Sequence, residues 1–368
     1  MGIGTERNKL CYCGSRKKYK KCHFGREQED PLKVSDVVQA EKAAKKKTCS
    51  HPAKLQCKGP IVRAHTVQRA LLEQIAQSGE VYGIKHGVAE LRRAGGRLEM
   101  RKLGLSAAST FTGFCAHHDK ATFAPIEDHP VEPTKFNALL LACRALSREL
   151  YAKQAALTLS PIIRQSDRGR TNEEQVAIQK FAGEFTAGID VGLRDLAYHK
   201  GQYDKILVSG DYSKVRGLAV ELSALPEFMT SGGILPEYSF SSEVLQNLAD
   251  TKTLEWISFS LISSKGKGLA VFSWLDDPPQ RSCERLVTSF SSLPTNEQSD
   301  ALTRFIFEFF ENVYISPHWW DGLDVKSRSA LTSRLYTAAH PAQVRDAGCL
   351  LDDGLRLVSY HVDQAIVL

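Results

Sequence analysis

The amino-acid sequence predicts an α+β protein on the basis of three observations. Six of the nine cysteines of the 368-residue chain lie in its first third, together with several histidines. Two long helical runs follow. Beyond residue 200, segments rich in β-branched and aromatic residues are interspersed with further helical patterns. With 42% hydrophobic and 24% charged residues, the composition is that of a soluble globular protein.

The net charge of +6 is distributed unevenly along the chain. Residues 1–60 contain 15 Lys and Arg against 6 Asp and Glu, a net charge of +9, whereas residues 61–368 carry a net charge of −3. The basic N-terminal segment favours a phosphate-rich partner, which predicts binding to nucleic acid. A lysine-rich solvated linker is the alternative explanation of part of this charge.

The sequence predicts a cytoplasmic protein of bacterial type with no membrane partner. No apolar run reaches the ~18–20 residues that a membrane span needs, and the N-terminus lacks the apolar stretch of a signal peptide. In a reducing compartment, cysteines are expected to be thiols or metal ligands rather than disulfides. Cys143, Cys283 and Cys349 lie singly along the chain and are expected to be small buried hydrophobic residues.

The first candidate metal site lies in the stretch CYCGSRKKYKKCH, residues 11–23. Cys11 and Cys13, together with Cys22 and His23, can close a tetrahedron around a zinc ion, and the Gly-Ser pair after Cys13 supplies a tight turn. Metal binding would offset the cost of ordering a segment with almost no apolar core. A basic tail with incidental cysteines is the alternative.

These residues closely resemble the SEC-C motif, named for the C-terminal zinc-binding tail of the SecA translocation ATPase. The motif has the pattern C-x-C-G-S-x-x-K-Y-K-x-C-[CH], and the chain has every defining position. The resemblance covers only a short part of the chain and implies a zinc-bound docking module, with a protein as a further candidate partner. The matching residues are Cys11, Cys13, Gly14, Ser15, Lys18, Tyr19, Lys20, Cys22 and His23.

A second candidate zinc site joins two ligand pairs that are far apart in sequence. Cys49 and Cys57 form the first pair, and Cys115 and His118 form the second with a C-x-x-H spacing that one helical turn allows. The gap between Cys57 and Cys115 is 57 residues long, and His51 or His117 could replace a neighbouring ligand. The sequence therefore predicts two structural zinc ions in all.

The segment between these pairs resembles the HNH branch of the His-Me finger nucleases. It contains the strand-like run IVRAH, residues 61–65, and is followed by F-C-x-x-H-D at the start of a helix. The resemblance implies a treble-clef or ββα-type finger with His65 as the general base, and DNA rather than RNA as substrate. It also implies a catalytic Mg²⁺ or Mn²⁺ that Asp119 or His118 faces from the helix, with Glu127 as a further candidate acidic residue.

Two departures from the HNH pattern leave a second function open. Many members of the family have an acidic residue or a second histidine before the base, where this chain has Ala64. No asparagine lies between His65 and Cys115, so the middle residue of the pattern is missing. A non-catalytic zinc fold that docks on nucleic acid or on another protein is therefore the alternative to an enzyme.

The rest of the sequence predicts a helical hairpin followed by a mixed α+β domain. A helix is predicted over residues 66–84, and the hairpin over 136–157 and 172–196, capped by Thr171 or Asn172. The later predictions are strands at 204–209, 254–262 and 268–275, helices at 296–313 and 326–336, and a final strand pair. The domains predicted are 1–28 (SEC-C motif), 29–48 (basic linker), 49–130 (HNH-like finger), 131–200 (helical connector) and 201–368 (α+β domain).

The leading hypothesis is a metal-dependent HNH-like endonuclease with an N-terminal zinc motif. Nucleases joined to sensing domains commonly act against foreign DNA, so the resemblance implies a bacterial defence effector whose C-terminal domain is a sensor. The alternatives are the non-catalytic zinc module and a separate activity of the C-terminal domain. That domain has no phosphate-binding glycine loop, no G-x-S-x-G and no paired catalytic carboxylates in its sequence.

Overall fold

The computed structural model describes residues 3–85, 87, 90, 93–94, 99–250, 252–276, 278–339 and 344–368. The protein is 45% helical and 19% strand, which confirms the predicted α+β class. Within the described ranges, no helix combines the length and the apolar character that crossing a bilayer requires.

The regular elements are ten helices and ten strands in the described part of the chain, besides three short 3-10 turns. The helices are α1 Ile3–Asn8, α2 Val34–Ala44, α3 Arg69–Glu73, α4 Ala116–Glu127, α5 Lys135–Gln165, α6 Asn172–Ser209, α7 Arg281–Ser291, α8 Thr295–Phe309, α9 Pro317–Gly322 and α10 Val325–Ala339. The strands are β1 Ile61–His65, β2 Glu80–Ile84, β3 Met100–Gly104, β4 Thr110–Cys115, β5 Val215–Leu222, β6 Phe228–Ile234, β7 Ile257–Ser264, β8 Lys267–Leu275, β9 Tyr314–Ile315 and β10 Val362–Val367.

The contacts between residues divide the chain into two compact units. The first unit contains residues 1–46, 86–96 and 152–194, and the second contains residues 47–85, 97–151 and 195–368. The first candidate metal site belongs to the first unit, whereas the second site and all ten strands belong to the second. The sequence predicts domain boundaries at residues 28, 48, 130 and 200. These boundaries stay predictions, because a domain is a segment that folds on its own and the two compact units do not test this.

An eight-stranded antiparallel sheet forms the centre of the second unit, in the order β10-β5-β8-β7-β6-β9-β2-β3. The predicted hairpin of β7 and β8 is confirmed, with the turn at Lys265 and Gly266. Both turn residues have positive φ, 52° and 76°, as a two-residue hairpin turn of the favoured hand requires. Strands β2 and β3 extend the sheet although they precede it by more than a hundred residues.

Both faces of the sheet are buried. Val271 and Phe272 are adjacent in β8, so their side chains point to opposite faces. Phe272 packs with Phe305 of α8, their ring centroids 5.5 Å apart. Val271 belongs to the same core cluster as Phe114 of β4 and Phe123 of α4. The element that carries the second metal site therefore shares its hydrophobic core with the sheet.

The helical hairpin forms as predicted, although its helices are longer than the sequence indicated. In the first unit, Arg164 of α5 donates to Gln179 of α6 at 3.0 Å, and Ser160 pairs with Thr186. The Thr171 hydroxyl accepts from the Glu174 amide at 3.3 Å, so Thr171 is the cap of α6.

Three predicted elements were wrong. The helix over 66–84 is short, because Ser78 and Gly79 adopt positive φ and turn the chain into β2. The strand over 204–209 is the end of α6, whose Tyr203 and Ile206 pack in a common core cluster. The final strand pair is the single strand β10.

We expect Gly233→Ala in β6 to lower the free energy of unfolding by about 1–3 kcal/mol through overpacking. A Cβ atom there would lie 2.0 Å from the ring of Trp256, which is buried. Gly104→Ala in β3 is the matched control, because its Cβ would meet nothing within 4 Å. Urea unfolding followed by tryptophan fluorescence measures both, and equal stability of the two variants would contradict this packing.

Candidate metal centres and the site around His65

The first Cys/His cluster brings together the four predicted ligands near the N-terminus. One ligand atom from each of Cys11, Cys13, Cys22 and His23 lies within 4.8 Å of the other three. His23 Nδ1 is 3.2 Å from Cys11 Sγ and 3.1 Å from Cys22 Sγ. Three sulfurs and one imidazole nitrogen at this spacing fit a tetrahedral zinc ion.

The local backbone explains why these four residues meet. Leu10 and Lys18 form an antiparallel bridge around Gly14, whose φ of 75° suits glycine at the turn. Burial raises the pKa of the Cys11 thiol to about 12. Metal binding at neutral pH must therefore displace a proton from this thiol, and acidification favours loss of the metal.

The second cluster is assembled from residues on both sides of the 57-residue gap. The ligand atoms of Cys49, Cys57, Cys115 and His118 lie within 4.8 Å of one another. His118 Nδ1 is 3.4 Å, 3.5 Å and 3.3 Å from the sulfurs of Cys49, Cys57 and Cys115. This cluster also has the three-sulfur, one-nitrogen donor set that fits zinc.

The two other histidines near this cluster lie outside the donor set. The His51 ring stacks on His118, with centroids 3.9 Å apart, and its Nδ1 accepts from the Ala53 amide. Burial, and then the charge of His118, lower the pKa of His51 to about 4. His117 is exposed on the first turn of α4. Neither replaces one of the four ligands in this arrangement.

A two-stranded antiparallel sheet and a helix surround the second cluster. Strand β1 pairs antiparallel with β4, and Ile61 lies opposite Cys115, the residue that caps α4. The Ala116 amide donates to the Pro60 carbonyl at 2.9 Å, which ties the start of α4 to the entry of β1. The chain thus forms two strands followed by a helix, closed at one end by the cluster.

His65 is the last residue of β1, at the end of the sheet farther from the cluster, and it pairs with Thr110 of β4. Burial lowers the pKa of His65, and a backbone hydrogen bond at Leu105 acts in the other direction. Nε2 of the ring is buried and has no hydrogen-bond partner. Nε2 is therefore unshared, and in the neutral tautomer that carries its proton on Nδ1 it can act as a base.

A buried arginine binds one of the two candidate acidic residues and lies near the other. Arg144 of α5 is 1% exposed and donates to Glu127 at 2.6 Å, while its nearer nitrogen is 4.0 Å from Asp119 Oδ1. Its guanidinium lies over the Phe123 ring, 3.9 Å from the centroid. Burial raises the pKa of Asp119, and Arg144 opposes this shift. The arginine charge also acts on His65, whose pKa it lowers.

The arrangement around His65 does not fit a catalytic Mg²⁺ or Mn²⁺. The Glu127 carboxylate is bound to Arg144, and the positive guanidinium beside Asp119 opposes a second cation. Mg²⁺ keeps several waters, yet the Asp119 oxygen nearest the arginine is fully buried. Among the described residues, the grouped metal-ligating side chains are the two Cys/His clusters, and His65, Asp119 and Glu127 form no third group.

Sequence reasoning missed three polar residues near these sites. Arg144 lies within a helical run that reads as apolar, so no local pattern marked it as a partner of Glu127. Ser109 has a positive φ of 61° and accepts from the Val67 amide at 2.7 Å, which fixes the turn after His65. Asp167 accepts from His23 across 144 positions of sequence. The one signal was the isolated positive charge in an apolar helical run, which shows that Arg144 needs a partner but does not identify that partner.

The two clusters define the protein as one whose cysteines and histidines are arranged for metal binding. Residues 7–25 match the SEC-C motif family, and the first cluster lies inside this match. The match covers a short part of the chain. No curated protein matches the chain, and no solved structure matches it.

We expect the purified protein to contain two zinc ions per chain, measured by inductively coupled plasma mass spectrometry. Cys11→Ser with Cys13→Ser should remove one ion, and Cys49→Ser with Cys57→Ser should remove the other. The second pair of substitutions should also unfold the β1–β4 sheet, because a two-stranded sheet is marginal without added support. A Cys143→Ser control, outside both clusters, should keep both ions. One ion or none in the unsubstituted chain would contradict the corresponding site.

Proposed function

We propose that the chain is a nucleic-acid hydrolase of HNH-like type with His65 as its general base. The observation that supports this most strongly is the state of the His65 ring. It ends the first strand of a strand-strand-helix element, and its buried Nε2 has no hydrogen-bond partner. A base of this kind takes a proton from a water that attacks a phosphodiester.

The charges around His65 suit this role. Its pKa is lowered by burial and, more weakly, by Arg144 and Arg69, so the ring is neutral and able to accept a proton at pH 7. Arg69 begins α3, four residues after His65, and its exposed side chain pairs with Glu73 at 3.0 Å. We infer that Arg69 exchanges this exposed partner for the phosphate, while buried Arg144 stays bound to Glu127.

The exposed face of the SEC-C motif supports a nucleic-acid partner. Its basic side chains all point to solvent, while Cys11 and His23 are buried. Such a surface attracts phosphate through counterion release, independent of base sequence. The exposed residues are Arg16, Lys17, Lys18, Lys20 and Lys21. DNA as the substrate, a protein partner and a role in defence stay predictions.

A non-catalytic zinc module is the second candidate, and two observations favour it. Arg144 forms an ion pair with Glu127, the carboxylate that a metal-dependent nuclease would use to bind its cation. Nε2 of His65 is fully buried, so a water molecule can reach it only after the protein atoms that cover it move. In this case binding of nucleic acid would come from the basic face alone.

We expect His65→Ala to lower the rate of nucleic-acid cleavage by about 10²–10⁴-fold, since a general base contributes about that much. Binding and both zinc ions should be retained, because the base supplies little ground-state affinity. Cleavage of supercoiled plasmid and of single-stranded RNA by zinc-loaded protein, with and without added Mg²⁺ or Mn²⁺, measures the rate.

His117→Ala is the matched control, because this histidine is exposed and outside the donor set. It should cleave as fast as the unsubstituted chain. The hydrolase proposal fails if the unsubstituted chain leaves every substrate intact, or if His65→Ala cleaves at the rate of the His117→Ala control.

We expect affinity for nucleic acid to fall steeply with salt, and neutralising the basic face to flatten this dependence. Replacing Lys17, Lys18, Lys20 and Lys21 by Gln should reduce the slope of log K against log salt by up to about 1 for each phosphate that is no longer neutralised. Fluorescence anisotropy from 50 to 300 mM salt, roughly the range in which such interactions are screened, measures the slope. Lys180→Gln in α6 is the control, and an unchanged slope in the fourfold variant would contradict the role of this face.

A further inference from the structure

The His23 imidazole is bonded on both sides in the first unit. Nδ1 faces the thiols of Cys11 and Cys22, at 3.2 Å and 3.1 Å. Nε2 donates to the Asp167 carboxylate at 2.9 Å. A histidine that binds a metal through one nitrogen commonly donates the other to a carboxylate, which fixes its tautomer and raises its basicity.

Asp167 lies outside the SEC-C motif, in the turn that joins α5 to α6. Its side chain is completely buried and accepts hydrogen bonds from three other side chains. Arg26 donates to Oδ1 at 2.7 Å, and Gln179 donates to Oδ2 at 2.7 Å. The carboxylate is therefore held rigidly by the hairpin on one side and by the chain after the motif on the other.

The turn fits closely against the segment that follows the motif. The Gly169 amide donates to the Arg26 carbonyl at 3.1 Å. A Cβ atom at Gly169 would lie 2.8 Å from the Glu29 carbonyl, and its φ of 68° also favours glycine. Tyr12, between two of the cysteine ligands, donates to Gln175 of α6 at 2.6 Å. These contacts make the carboxylate part of a built site.

We propose that Asp167 is a positioning residue of the first metal site and that metal loading orders the hairpin turn in return. The carboxylate holds His23 with Nδ1 toward the three sulfurs. Because the coupling is reciprocal, a metal that gains affinity from the ordered turn stabilises that turn by the same factor. The metal-loaded motif then stabilises the turn of the helical hairpin.

The first experiment measures zinc affinity by competition with chromogenic chelators of graded strength. Asp167→Asn should lower the affinity of one of the two sites for zinc by about 10–100-fold and leave the affinity of the other site unchanged. Asp190→Asn, an exposed carboxylate on α6, is the matched control and should change neither. Equal zinc affinity of Asp167→Asn and Asp190→Asn would overturn the proposal.

A second variant separates positioning from a general loosening of the hairpin. His23→Cys should keep the zinc ion, because the SEC-C pattern accepts cysteine at this position and a thiolate needs no orienting carboxylate. Adding Asp167→Asn to His23→Cys should then leave zinc affinity unchanged within about 2-fold, since no imidazole remains to position. The same 10–100-fold loss in that background would show a structural role only and overturn the proposal.

A measurement on the unsubstituted chain applies even if Asp167→Asn does not fold. Long-range ¹H–¹⁵N spectra of the zinc-loaded protein should show His23 bound through Nδ1 and protonated on Nε2. A ring bound through Nε2 would overturn the proposal. Hydrogen exchange at residues 166–171 should be slower in the loaded protein than in the Cys11→Ser, Cys13→Ser variant, and equal exchange would contradict the reciprocal coupling.

Discussion

The cluster of Cys49, Cys57, Cys115 and His118 determines the placement of the strands and the helix around His65. The pairing of β1 with β4 involves two short strands, and a two-stranded sheet is marginally stable by itself. A four-ligand site that fits zinc closes one end of this pair and sets where α4 begins, because Cys115 is both a ligand and the helix cap. The other end carries His65, which lies opposite Thr110 of β4. Without the cluster, no covalent bond or metal ion would join the two ends of the 57-residue segment between Cys57 and Cys115.

The hydrophobic core extends this constraint to the rest of the second unit. Phe114 of β4 and Phe123 of α4 lie in one core with Met229 and Val271 of the large sheet. A change in the sheet can therefore reach the His65 element through packed side chains. The first cluster has a different anchor, since His23 is bonded to Asp167 in the turn of the helical hairpin. Each metal site thus depends on a segment distant in sequence.

Much of the ligand chemistry was readable from the sequence, whereas its supports were not. Cys11 and Cys13 are close to Cys22 and His23 in sequence, so their spacing alone predicts the cluster that forms. Long-range partners leave no local pattern, which explains why Asp167 and Arg144 were missed. Strand pairing across long gaps is equally invisible, as β2 and β3 joining the large sheet show. Short apolar runs such as residues 204–209 suit a helix or a strand, and continuation of α6 decided the outcome.

X-ray absorption at the zinc edge tests the central claim most directly, because it reports the atoms bound to the metal. We expect an average of three sulfurs at about 2.3 Å and one nitrogen at about 2.0 Å per zinc ion, the donor set that both clusters provide. Cys57→Ser should lower the average sulfur number, as one of the six thiolates is removed. Zinc bound mainly by oxygen and nitrogen, or a sulfur number unchanged by Cys57→Ser, would contradict the account.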